Sequence, residues 1–380
     1  MPPADQAAQR RRLLRWFAAS ASFAVPQAAG PIAFSLLALG LTGDAGQGAA
    51  IILAMTLAQV LGAIPVARLG RRVPAVLYLK LLVGLRSAAL LAIAALAAAE
   101  APFAWLVAAA GLAGSVNGAA HGYLRAVLNQ LAPAARLPRA LGISATLNEL
   151  TFVLAPVAAS GLGSISPVFA LLALTALGAA PILLVPHLGR APQPAGTVAG
   201  GGGVLSRAIL LWLLCSTAGG ATVAALEIGA VALALRFGHA PELAFLFTVP
   251  LCLASVAGGV WASWRARMAR PRVVVGQLCV MTLGAALVAL QLSVAATMAG
   301  AVVVGLVLAP LGTHYSLVLD GLAPPHRRAE VFSLLRTANS LGVILASALL
   351  TAVSLSAMLA AVAALMLTAA IAVGLATRGR

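Results

Sequence analysis

The chain has 380 residues, 62% of them hydrophobic and only 8% charged, with a mean hydropathy of +1.06 and a formal net charge of +16. A water-soluble globular fold of this length needs far more surface charge and is excluded. The surplus of cations does not make a nucleic-acid binder either. The arginines sit in short connections between apolar blocks rather than along one face, so no nucleic-acid partner is expected.

Blocks of about 20 apolar residues read as transmembrane helices. The first, near 16–41, follows Arg10, Arg11, Arg12 and Arg15. It is longer than the apolar core of a signal peptide and is read as a span. Pro26 and the Gly30-Pro31 pair predict a bend within it. Further blocks lie near 49–67, 75–98, 102–124, 140–161 and 167–187. After the Gly/Pro-rich stretch GRAPQPAGTVAGGGG (Gly189 to Gly203), six more lie near 208–235, 243–264, 273–293, 297–319, 331–353 and 355–376. The glycines of that stretch are not a phosphate loop, since no Gly-Lys-Ser/Thr follows, and the composition is that of a flexible linker. The expected architecture is all-α: residues 1–187 form a six-helix bundle, 188–206 a cytoplasmic linker, and 207–380 a second six-helix bundle.

Basic residues mark every second connection. Arg10 to Arg15, Arg68 to Arg72, Arg136 with Arg139, Arg190 with Arg207, Arg265 to Arg272, Arg327 with Arg328, and Arg378 with Arg380 fall on one side. Asp44, Glu100 and Glu242 fall on the other, with Arg236 as its one cation. The positive-inside rule places both termini in the cytoplasm, and an odd number of spans would scramble the alternation. Cys215, Cys252 and Cys279 lie in apolar blocks without a Cys-x-x-Cys spacing or a nearby His, so neither a disulfide nor a metal site is expected.

The two halves repeat. A shift of 191 residues lays VLNQLAPAAR (Val127 to Arg136) on VLDGLAPPHR (Val318 to Arg327), and sets Thr146, Asn148 and Leu150 on Thr337, Asn339 and Leu341. A shift near 197 lays Gly62 and Arg68 on Gly259 and Arg265. Both copies enter the membrane from the same side, so the repeat is parallel. Such halves belong to transporters whose substrate site lies between them near the midplane.

At the loop after the second span, GAIPVARLGRRVPAVL (Gly62 to Leu77), the sequence resembles the major facilitator superfamily, and the resemblance extends over nearly the whole chain. Arg68, Gly70, Arg71 and Arg72 match the superfamily's Gly-x-x-x-Asp-Arg-x-Gly-Arg-Arg/Lys signature. The acid position is Ala67, and the leading glycine is displaced by one, to Gly62. WASWRARMARPR (Trp261 to Arg272) is similar to the degenerate second copy. In the superfamily the missing acid helps latch the cytoplasmic side of the two halves. The resemblance therefore implies an altered latch, with Asp320 or Glu330 as candidates against Arg68 or Arg71; the plainer alternative is that these arginines only set topology. The resemblance also implies that the first, fourth, seventh and tenth spans line the cavity.

The residues that could carry chemistry are the polar ones inside spans. Glu149 lies about nine residues into the fifth block, roughly 14 Å at 1.5 Å per residue. An acid there costs about 2.5–3.5 kcal/mol on insertion scales. A dry surrounding favours its protonated form and a water-filled one its ionised form, so alternation between the two couples protons to transport. The alternative is a structural Glu bonded to Asn148, Thr146 or a neighbouring helix. Glu227 in the seventh span is the second proton-coupling candidate, its alternative being a polar contact near the outer mouth. Arg86 is too deep in the third span to reach the interface. It requires an acid or carbonyls of its own half, with Glu149 one candidate partner. Gln27, Asn117, His121, Asn148, His314 and Tyr315 are candidates to line the substrate cavity, although structural hydrogen bonds explain the histidines equally well. Pro31 and Pro156 are expected helix bends. Pro156 stands where antiporters of the superfamily carry a Gly-Pro motif, and this likeness implies antiport.

The resulting expectation is a monomeric, multi-pass secondary transporter of a bacterial inner membrane, exporting a small organic molecule against protons by alternating access. The alternatives are an uptake symporter or facilitator, and a transporter-like receptor or scaffold that carries nothing. No catalytic triad, metal-ligand cluster or nucleotide motif is present, so no enzyme, metal or cofactor is expected.

Overall fold

The computed structural model describes residues 3–132, 137–186, 206–265, 270–322 and 328–378. The chain divides into two compact units, Met1–Ala195 and Gly196–Arg380. In the first unit the helices are α1 (Pro3–Thr42), α2 (Gln47–Leu69), α3 (Ala75–Ala98), α4 (Phe103–Leu131), α5 (Leu137–Gly163), α6 (Pro167–Ala179) and α7 (Pro181–Leu184). The second holds α8 (Arg207–Arg236), α9 (Phe245–Arg265), α10 (Pro271–Leu290), α11 (Val294–Leu322), α12 (Arg328–Ala352) and α13 (Leu355–Arg378). Among the described residues there is no strand. Taking α6 and α7 as one rod gives the twelve expected helices, of which 11 are long and apolar enough to cross a bilayer. In α5 the described apolar stretch, Leu150–Gly163, is shorter than a span. Of the expected linker, residues 188–205 lie outside the described ones, while Ser206 caps α8 by accepting a bond from the Ile209 N–H at 3.2 Å.

Two boundaries differ from the sequence reading. Helix α1 begins at Pro3, well before residue 16, because its Ala-, Gln- and Arg-rich start is a good helix former although it is not apolar. The sixth block is broken, since Pro181 has no N–H for the ladder and the helix restarts after Ala180. The bends expected at Pro26, Pro31 and Pro156 fall inside helices that continue through them.

The repeat is written into the packing. In the first unit α1 packs on α5 and α6, while α4 packs on α2 and α3, and α3 on α6. In the second, α8 packs on α12 and α13, while α11 packs on α9 and α10, and α10 on α13. The backbone repeats as well. Gly43 and Gly238, following α1 and α8, have φ of 75° and 73°, while Glu100 and Gln291, closing α3 and α10, have φ of 51° and 48°. The last pair is related by the same 191-residue shift as the Leu-Ala-Pro loops.

Close helix crossings carry the same signature. A Cβ on Gly114 would meet the Met55 carbonyl oxygen, and one on Gly62 the Ser115 carbonyl oxygen; Gly305 meets Leu251 and Gly258 meets Leu306 in the same way. The partner of Gly62 in the repeat is thus Gly258, not Gly259, a correction of one residue to the expected register. Without a hydrophobic drive between helices in lipid, such close backbone contact is what holds α2 to α4 and α9 to α11.

Candidate functional site

Arg86 lies midway along α3 and is 2% exposed. One of its terminal nitrogens, Nη1, donates to the Phe23 carbonyl and to Asn117 Oδ1, both at 3.1 Å, and Nη2 donates to the Gly178 carbonyl at 2.9 Å. The guanidinium carbon sits 4.0 Å from the centre of the Phe23 ring, in cation–π range. Two of the three acceptors are main-chain carbonyls, one of them at a helix end. Gly178 is in the last turn of α6, whose carbonyls have no helical donor and carry the negative end of the dipole. Phe23 lies in α1, one turn before Pro26. Gly178 must be small, since a Cβ there would collide with the Pro26 ring and lie 3.1 Å from Arg86 Nη2. Asn117 extends the network to α2 by donating to Gln59 Oε1 at 2.7 Å. One cation thus ties α1, α3, α4 and α6 together, and of the two kinds of partner expected for it the described residues supply carbonyls.

The side chain of Glu149, the other partner considered, lies outside the described residues, as does that of Thr146. Asn148 is half-buried on α5, and Gln27 on α1 is exposed. Asn339, the repeat counterpart of Asn148, abuts α8, where a Cβ on Gly220 would come within 2.6 Å of its Oδ1.

Each unit sets a histidine against an aromatic ring of its first helix. His121 of α4 meets Phe23 edge-on at 5.6 Å, and His314 of α11 meets Trp212 of α8 edge-on at 5.1 Å. The Trp212 ring also lies 5.8 Å from Tyr315. His314 and Tyr315 are buried, and neither His314 Nδ1 nor Tyr315 Oη has a hydrogen-bond partner among the described residues. Two adjacent polar groups thus lie beside an indole where α11 meets α8. Glu227, nearer the far end of α8, is half-buried among the buried Ala224, Ala225, Leu226 and Ile228.

At the basic loop, α2 ends at Leu69 and a single 3₁₀ turn covers Gly70–Arg72. Arg68 and Arg72 are exposed, whereas the side chains of Arg71, Asp320 and Glu330 lie outside the described residues. Two tyrosines missed in the sequence close this end. Tyr78 Oη donates to the Val66 carbonyl at 2.6 Å, Tyr123 Oη donates to the Ala67 carbonyl at 3.0 Å, and the rings meet edge-on at 4.9 Å. They satisfy terminal carbonyls of α2 that would otherwise be orphaned. Gly70 has a φ of −80° that suits any residue; space demands glycine, because a Cβ would strike the Tyr78 ring and Tyr123 Oη. Gly70→Ala is therefore expected to lower stability by about 1–3 kcal/mol. Leu69→Ala, at a side chain 75% exposed, is expected to change it little, with thermal unfolding in detergent as the readout.

Gln59, Phe23, Gly178, Trp212, Tyr78 and Tyr123 are thus the residues that sequence reasoning did not single out. The tyrosines had one visible signal, being two of only three in the chain and both near the basic end of their spans.

The family model of the Major Facilitator Superfamily matches residues 15–347. The chain belongs to this superfamily. It is accordingly a multi-pass membrane protein of a transporter family, with a small-molecule substrate and the bilayer as its surroundings. Its fold is similar to that of the nucleoside transporter NupG, with a TM-score of 0.74 at 12% identity over 95% of this chain and 98% of that one. A bacterial homologue of the human lysosomal transporter Spinster, in an inward-facing and occupied conformation, gives 0.71 at 15% identity over 100% and 98%. The human organic anion transporter MFSD10 (TETRAN) gives 0.62 at 15% identity over 98% and 100%. At these identities the likeness establishes the fold alone. Among curated proteins, none matches the sequence.

Proposed function

We propose that this superfamily member is a proton-coupled antiporter that exports a small organic molecule from a bacterial cell through the inner membrane. Residues 1–187 and 207–380 act as its two rocking halves, joined by the 188–206 linker, with both termini cytoplasmic. The observation that carries the reading is Glu227, a half-buried carboxylate in a helix whose neighbouring positions are buried and apolar. A carboxyl group in that setting changes its preferred protonation state when water enters and leaves. A membrane potential of ~100 mV supplies about 2.3 kcal/mol per charge, enough to drive such a step. Glu149 is the second carrier in the proposal. The charge of Arg86 is already met by carbonyls and an amide, so no carboxylate is required to neutralise it. Asn117, His121, His314 and Tyr315 offer the hydrogen-bonding and ring surfaces that would recognise a substrate, together with Gln27 and Asn148, and Arg68, Gly70, Arg71 and Arg72 close the cytoplasmic side.

The test uses purified protein in liposomes carrying a pH-sensitive dye, with a compound panel that includes nucleosides and organic anions, the classes named for two proteins of similar fold. Addition of a transported compound is expected to move protons across the membrane, and Glu227→Gln and Glu149→Gln are each expected to abolish that movement while leaving the protein folded. Coupling retained in both variants would remove these acids from the mechanism. Transport indifferent to collapse of the pH gradient would make the protein a facilitator instead.

A further inference from the structure

Between the start of α10 and the end of α13 lies an open cleft of about 1160 Å³, within the second unit and apart from the polar residues described above. At one end stand Arg270 and Arg272, on either side of the proline that opens α10. Both side chains are exposed, and among the described residues no acidic residue lines the cleft and neither guanidinium has a partner. The rest of the wall is mainly apolar, with Ile371 53% and Leu375 64% exposed and the half-buried Val275 and Thr377 beside them. The first turn of α10 adds its positive dipole end to the two cations.

A free inorganic anion explains the arginines but not the leucine and isoleucine. An alkyl chain explains the apolar wall but not the arginines. A molecule with a phosphate at one end and hydrocarbon at the other explains both. We infer that the cleft between α10 and α13 is a binding site for an anionic phospholipid. The headgroup phosphate is held by Arg270 and Arg272 and an acyl chain lies along Leu375 and Ile371. Planar guanidinium forks suit this role, because each can grip two phosphate oxygens at once. The sequence carries two further arginines, Arg265 and Arg267, shortly before Arg270, and a negatively charged leaflet near this basic run would raise the local lipid supply.

Native mass spectrometry of the full-length protein, released from micelles containing equal phosphatidylglycerol and phosphatidylcholine, tests the site. The protein is expected to retain phosphatidylglycerol in preference. Each arginine near an anionic surface contributes about fivefold, so Arg270→Gln with Arg272→Gln should weaken retention roughly thirtyfold. Arg236→Gln, at the opposite end of its unit, should leave retention unchanged. Leu375→Ser should weaken it without altering the charge, and the double Arg→Lys variant should keep part of it, so either serves if the glutamine pair does not yield folded protein. Equal retention of the two lipids, or unchanged retention in the glutamine pair, would overturn the inference. So would displacement of the lipid by millimolar inorganic phosphate alone, which would mark a simple anion site.

Discussion

Arg86→Met is expected to destabilise the first unit by about 3 kcal/mol, lowering its unfolding temperature in detergent by roughly 6–12 °C. Methionine fills similar volume and needs no hydration, so loss of packing is small and the effect isolates the polar contacts. The acceptors cannot leave with the arginine, because the Phe23 and Gly178 oxygens are main chain and Asn117 Oδ1 stays on α4. The Gly178 carbonyl suffers most, lying in a helix end with no following donor. Replacing a buried ion pair by apolar residues is often harmless, but that case removes both partners, and here one side remains buried and unpaired. Arg86→Lys should fall between the two, since a single ammonium cannot fork across α1, α4 and α6 as the guanidinium does. Asn117→Ala should cost about 1–2 kcal/mol, releasing Gln59 together with one Arg86 contact. An Arg86→Met protein that unfolds at the parent temperature would show that the clamp contributes nothing.

How much of this is legible in the amino-acid sequence depends on where the information is stored. Hydropathy reported the number of helices, because it is a property of side-chain type along the sequence. The family was legible in the Arg68 to Arg72 loop for the same reason. The depth of Arg86 could be counted from Ala75, but its partners could not be read, because carbonyl acceptors are present at every residue and leave no mark in the sequence. The break before Pro181 was missed because an apolar block looks continuous even where its hydrogen-bond ladder is not. The second register of the repeat came out one residue off, since Gly258 and Gly259 are adjacent and only the contact with Leu306 distinguishes them. Trp212 escaped notice because a tryptophan in an apolar span looks like core; its place beside His314 and Tyr315 depends on the crossing of α8 and α11.

Gly114→Leu and Gly305→Leu are each expected to abolish accumulation of folded protein, and even Gly114→Ala and Gly305→Ala should cost about 1–3 kcal/mol or more. The obstacle in both cases is a main-chain oxygen, Met55 in α2 and Leu251 in α9. A flexible side chain could swing aside, but a carbonyl locked in a helix moves only if the whole helix moves. Separating α2 from α4 would loosen the complementary Gly62–Ser115 contact, and separating α9 from α11 would loosen Gly258–Leu306. Lipid fills such a gap poorly, and close van der Waals contact is the main attraction between helices in a bilayer. The internal controls are Gly111 and Gly312, on the same two helices, where an added Cβ meets nothing within 4 Å. Alanine at those positions should be neutral or stabilising by up to about 1 kcal/mol, through helix propensity alone. The repeat sharpens the expectation further, for Gly114 and Gly305 occupy equivalent crossings and their alanine variants should fall by similar amounts. Folded yield by size-exclusion profile and unfolding temperature in detergent separate the outcomes. Gly114→Ala and Gly111→Ala proteins of equal stability would mean that the helices yield freely at the crossing, and the close backbone contact would then not be what holds the bundle together.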